Sequence, residues 1–138
     1  MRPSTANIVR AATVALLVFG AACSDSTAPA PGIQPQIVNN TDAFSYQITN
    51  LDRVSGTYEY TWQNTGTLAK VTHASDAGSS GTAILTVKDA AGAEVYSGAF
   101  ATTGEVVSSP AGTAGAWTLT VTYSGYSNTQ VNFAVVTQ

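Results

Sequence analysis

The residues that could do chemistry in this chain are few: one cysteine, one histidine and a short row of aromatics. A histidine acts as a general base only beside a nucleophile and an orienting acid. Nothing around His73 supplies that set and no G-x-S-x-G is present. His73 is therefore expected on a surface or at a strand edge, and no catalytic residue is assigned. Residues 76–81 (DAGSSG) offer one carboxylate, whereas calcium takes about six to eight oxygens, usually from several acidic residues. A connecting loop is the expectation there, with no metal and no cofactor. Tyr58, Tyr60 and Trp62 alternate with Thr57, Glu59 and Thr61. Rings in a row on one strand face could stack on sugar, and the same spacing could fill a core. Packing is the better account, because a small domain needs its large side chains inside. Trp117 shares a stripe with Leu119 and Val121 and reads as core, while Thr118, Thr120 and Thr122 read as the solvated face of the same strand.

Cys23 has a different setting. Residues 1–10 carry Arg2 and Arg10, residues 11–19 (AATVALLVF) are uncharged and apolar, and Gly20, Ala21 and Ala22 are small. This order of basic, apolar and small residues is that of a secretory signal peptide covering residues 1–22. The apolar run is too short for a retained span, which takes about 20 residues. A lone cysteine cannot form an internal disulfide and is a liability in an oxidising compartment. Ala21, Ala22 and Cys23 resemble the lipobox of bacterial lipoproteins, and that resemblance implies cleavage before Cys23 and acylation of it. Gly20 stands where a Leu-like residue is usual, so ordinary cleavage leaving Cys23 as a free thiol is the alternative. The acyl chains would tether the chain to a membrane, since each buried CH2 contributes about 0.8 kcal/mol. The resemblance places it in a bacterial cell envelope, with Ser24 rather than Asp after the cysteine leaning toward the outer membrane. Residues 23–36 contain Pro29, Pro31 and Pro35 and read as a flexible linker, extended at about 3.1 Å per residue. In such a protein the sequon at Asn39, Asn40 and Thr41 is read as accidental.

The elements that would position any site begin near residue 37. Past Cys23 the chain has three basic against eight acidic side chains, which excludes nucleic acid, whose affinity comes from Lys and Arg on phosphate. Alternation of period two recurs over residues 44–48, 57–62, 117–123 and 131–135, residues 82–88 read as a strand apolar on both faces, and weaker strands stand at 68–75, 93–100 and 104–108. Turn signals stand at 64–66, 89–92 and 124–125, and loops at 76–81 and 110–115. Residues 37–138 are thus expected to form an all-β domain, an antiparallel β-sandwich, jelly-roll-like or Ig-like, of about eight or nine short strands. The V-x-D-x-x-G at residues 87–92, the P-A-G-x-x-G-x-W-x-L-x-V at 110–121 and the turn at 123–125 resemble the pre-peptidase C-terminal domain of secreted bacterial enzymes. That domain often carries acidic residues for calcium around a D-x-D element, which this chain lacks, so the metal role does not carry over. The expectation is a non-enzymatic domain with a protein or polysaccharide ligand, or a structural role at the envelope surface. The alternative is an accessory module holding polysaccharide through Tyr58, Tyr60 and Trp62. Nothing in the sequence speaks to oligomeric state.

Overall fold

The computed structural model describes residues 33–100 and 104–138. Cys23, the expected signal peptide at residues 1–22 and most of the expected linker lie outside the described residues. Seven strands are present among the described residues: β1 (Gln36–Asn40), β2 (Ala43–Asn64), β3 (Ala69–Ser75), β4 (Ser80–Lys88), β5 (Glu94–Ala99), β6 (Glu105–Ser108) and β7 (Gly115–Thr137). Every pairing is antiparallel, and the all-β sandwich expected from the alternation is what forms.

Its frame is a ladder between β2 and β7, of 22 and 23 residues. One part of the ladder, from Ala43↔Val136 to Leu51↔Asn128, is flanked by β1, β3 and β6. The other part, from Gly56↔Tyr123 to Asn64↔Gly115, is flanked by β4 and β5. The ladder folds over between them, so that its two parts become two layers with a shared core. Phe44 and Tyr60 lie on the same strand, yet their rings meet at 5.7 Å. The bend coincides with register shifts between Leu51, Val54 and Gly56. Asn50 and Arg53 adopt φ of 57° and 48°, a left-handed conformation uncommon outside glycine. Side chains splice the broken ladder: the Arg53 N–H donates to Ser127 Oγ at 2.8 Å and the Gly125 N–H to Ser55 Oγ at 2.8 Å. Gly81, at φ 75°, lies against the backbone of Ser124 and Gly125, and any Cβ there would collide with it.

Seven strands rather than eight or nine result because residues 44–48 and 57–62 belong to one continuous strand, as do residues 117–123 and 131–135, while residues 36–40 add one. The residues before Gly56 and the Ser124–Gly125 pair carry the two strands over from one layer into the other, so that β2 doubles back and the Asp42 N–H donates to Gln63 O at 2.8 Å. The alternation itself holds. Phe44, Tyr46, Ile48, Trp117, Leu119, Val121, Tyr123, Val131, Phe133 and Val135 all point inward and are buried.

The expected turn at residues 89–92 forms, with Gly92 at φ 83° and its N–H donating to Asp89 O at 2.9 Å. Asp89 does more than turn the chain. Its Oδ1 accepts the N–H groups of Ala91 and Ala93 at 3.0 and 2.8 Å, and its Oδ2 accepts that of Thr113 at 2.8 Å. The Thr113 carbonyl then receives Trp117 Nε1–H at 2.7 Å. Two of the three motifs that carried the resemblance are thus a hairpin and a loop stapled together by one carboxylate.

Between the layers, Tyr46 and Tyr123 share a hydrogen bond, O to O at 3.0 Å. Burial, first among the causes, pushes both phenols well above their ordinary value of 10. A raised phenol contributes stability that is complete below pH 10 and is lost as the pH rises past it. Tyr46→Phe or Tyr123→Phe is expected to cost about 1–2 kcal/mol, because each leaves the other hydroxyl buried without its mate. The double variant should cost at least about 1 kcal/mol less than the sum of the two singles, as read by urea denaturation. Strict additivity would show that the pair is not coupled.

Candidate functional site

Tyr58, Tyr60 and Trp62 are not a stacking platform. Trp62 is wholly buried and Tyr60 is 6% exposed. Tyr58 is half-buried and packs on the core, its ring 5.9 Å from that of Tyr123. The physical reason is the fold-over of β2, which turns this face toward the opposite layer. None of the exposed large hydrophobics among the described residues is aromatic, and Tyr58, Tyr96 and Phe100 are only partly exposed. His73 also departs from expectation. It is buried, with Phe100 edge-on at 5.7 Å and Tyr96 at 6.3 Å. β3 lies between β7 and β6, so its inward positions are core whatever their polarity. Residues 76–79 connect β3 to β4, while Ser80 and Gly81, expected in the loop, open β4. Among the described residues no three His, Cys, Asp or Glu side chains gather into a metal-binding group. Thr118, Thr120 and Thr122 do face outward, opposite Thr61, Glu59 and Thr57.

The chemistry that is exposed lies on the outer face of the other layer. Registers place Val38, Ser45, Ala134, Thr72 and Val106 in one row across β1, β2, β7, β3 and β6. The next row is Gln36, Gln47, Asn132 and Ala74. Val38 and Val106, each 55% exposed, stand at the two ends of the first row. Between them the small side chains of Ser45 and Ala134 make a low floor. The result is a groove of about 300 Å³ running with the strands, lined by Gln36, Val38, Ser45, Gln47, Thr72 and Asn132. Strand rise makes β1 about 13 Å long.

No charged residue lines this groove. Each amide of Gln36, Gln47 and Asn132 offers two donors and an acceptor, and Val38 and the Thr72 methyl offer aliphatic walls. Such a surface can hold a neutral, hydroxyl-rich or amide-rich chain by hydrogen bonds. Its lining holds no acid–base pair to activate the hydroxyls of Ser45 and Thr72. A second, more open hollow of about 390 Å³ sits at the bend beside Asn50, Asp52 and Asn128. There the Asn128 amide already donates to Asp76 O at 2.9 Å and lies 3.2 Å from the Tyr126 hydroxyl, so its polar capacity serves the fold.

No protein-family model matches the chain, and no curated protein matches it. Among solved structures it superposes on a family 11 carbohydrate-binding module from Clostridium thermocellum in complex with a β-1,3-1,4-mixed-linked tetrasaccharide, at 12% identity and a TM-score of 0.35, covering 76% of this chain and 79% of that one. It also superposes on a carbohydrate-binding module of Cellvibrio mixtus lichenase 5A in complex with cellotriose, at 14% identity and TM-score 0.34, covering 78% and 88%. A third is CsCBM6-3 from Clostridium stercorarium in complex with cellobiose, at 16% identity and TM-score 0.32, covering 75% and 82%. These are distant superpositions, and the groove stands on its own residues.

The groove residues drew no attention in the sequence. Gln47 and Asn132 are neighbours only because β2 pairs with β7. One signal was present: the outward positions of the strand at 44–48 are Ser45 and Gln47, without the charges that usually solvate a sheet face.

Proposed function

We propose that this chain is an exported, lipid-anchored bacterial envelope protein whose sandwich is a non-catalytic binding module for a neutral polysaccharide, held in the groove of Gln36, Val38, Gln47, Thr72 and Asn132. The observation that carries the reading is a groove lined by three amides and no charge. Sugar hydroxyls both donate and accept, and amides answer both roles without the desolvation penalty of a charge. The aliphatic walls suit the C–H faces of a pyranose. The acidic balance of the chain past Cys23 disfavours phosphate-bearing polymers by repulsion. Export and anchoring rest on residues 1–22 and Cys23, and the Pro-rich linker supplies reach from the membrane. Stacking by Tyr58, Tyr60 and Trp62 has no part in it.

Affinity electrophoresis in gels containing soluble neutral glucans, mannans or xylans tests the groove, with calorimetry on any that retards the protein. Gln47→Ala and Asn132→Ala are each expected to weaken binding about tenfold, the value of one or two lost hydrogen bonds. Thr120→Ala, on the opposite layer, should leave it unchanged. Retardation by none of these polymers, or equal losses in all three variants, sinks the reading. The anchor is tested separately by mass spectrometry of the mature N-terminus. A diacylglyceryl adduct on Cys23 is expected, and an unmodified Cys23 peptide removes the anchor while leaving the groove in place.

A further inference from the structure

Strand β1 pairs with β2 alone, and among the described residues no strand covers its other edge. An open edge presents unpaired N–H and C=O groups, and proteins usually guard it with charge, proline or a bulge. β1 has none of these. Its sequence is QIVNN, every residue is exposed, and Ile37 and Val38 are 39% and 55% accessible. The other edge strands, β5 and β6, each include a glutamate, Glu94 and Glu105.

The composition of β1 also fits a copy of itself. A two-fold interface sets each residue against its own mate, so a charge near the axis repels its copy. Antiparallel self-pairing centred on Val38 meets no charge. It sets Val38 against Val38 of the second copy, Ile37 against Asn39, and Gln36 against Asn40. The most exposed aliphatic of the strand is thereby covered at the centre, and amides face one another at the ends.

We propose that a second copy of this chain adds to β1 as an antiparallel strand, joining two sheets into one. The two-fold axis of such a pair stands across the sheet, so both outer faces lie on the same side. Val38 is also a wall of the groove, and the two grooves then lie side by side across a shared Val38 ridge. A polymer that engages both gains from the second, intramolecular contact. The pairing stands independently of what the groove holds. A five-residue edge buries less than the roughly 1,600 Å² of a standard interface, so association is weak in dilute solution and is best captured covalently.

The test is disulfide trapping of the full-length chain exported by a bacterial host. Directly opposed residues of antiparallel strands hold their Cβ atoms about 4.5–5.5 Å apart, near disulfide range. Val38→Cys is expected to yield at least fivefold more disulfide-linked dimer than Val106→Cys, which is equally exposed, on the same face, at the opposite edge. The wild type, with Cys23 alone, sets the background. Equal yields from the two variants, or no dimer with Val38→Cys, overturn the proposal. Sedimentation in detergent gives a second readout if Val38→Cys does not fold. The wild type and Val106→Lys should associate as concentration rises while Val38→Lys stays monomeric; association of Val38→Lys like the wild type, or of none of the three, overturns it equally.

Discussion

Trp62→Ala is expected to lower the free energy of unfolding by about 3–5 kcal/mol, the range for large aromatics removed from a core. Trp62 and Trp117 are both wholly buried. They are register partners across the β2–β7 ladder, and their rings meet edge-on at 5.8 Å and 84°. Backbone pairing on both strands holds the surroundings in place, so the void would close only in part. For a domain whose whole stability is about 5–15 kcal/mol, this one change removes a large share. The measurement is urea denaturation followed by far-ultraviolet circular dichroism. An exposed stacking residue would behave differently, costing within about 0.5 kcal/mol, so the experiment also tests the placement of the aromatic row. Phenylalanine sharpens the comparison. Trp117 Nε1–H donates to Thr113 O at 2.7 Å, while Trp62 Nε1 is buried with no acceptor. Trp62→Phe loses area but also removes an unsatisfied donor. Trp117→Phe loses area and a hydrogen bond, and should cost about 1 kcal/mol more. Equal costs would show that the indole of Trp62 finds an acceptor in solution.

Asp89→Ala is expected to lower the midpoint of thermal unfolding by on the order of 10 °C, because three backbone N–H groups lose their acceptor together. Asp89→Asn should fall between, since one amide oxygen can still serve Ala91 and Ala93 while the NH2 group turns toward the Thr113 N–H. The acid dependence follows from the same contacts. The Thr113 N–H, then those of Ala93 and Ala91, hold the Asp89 carboxyl below its ordinary 3.8. The Thr65 N–H, then the hydroxyls of Thr137 and Thr65, do the same for Asp42. A carboxyl with a depressed folded value contributes stability that is complete above the unfolded value and lost as the pH falls through the folded one. The wild type should therefore hold its midpoint from neutrality to about pH 5 and lose it below about pH 4. Asp42→Asn/Asp89→Asn should start lower and change less. Calorimetry across that range reads both, and parallel acid curves for the two proteins would refute the assignment.

Several features were legible because their causes are local. The pleat repeats every two residues, so Trp117, Leu119, Val121 and Tyr123 declared a buried face without any knowledge of a partner strand. The turn at residues 89–92 was legible because a left-handed glycine after Asp is a short-range preference. What could not be read depends on distant pairing. His73 sits in a strand of mixed pattern, and only the flanking of β3 by β7 and β6 makes its position interior. The second oxygen of Asp89 reaches Thr113 across a loop whose position no local signal announces.

The sequence by itself determined an all-β antiparallel sandwich, the inward set of most strands, and a net acidic chain with no catalytic or metal-binding constellation in its motifs. Those follow from side-chain period, turn chemistry and charge, each readable over a few residues. Only the tertiary structure decided that β2 and β7 stay paired through both layers, because local residues mark where a chain turns over and not which strand accompanies it through the turn. That fold-over took Tyr60 and Trp62 out of solvent and half-covered Tyr58. The pairing of β2 with β1 and β7 assembled Gln36, Gln47 and Asn132 into a groove, since residues far apart in the chain become a site only when strand register sets them in one row.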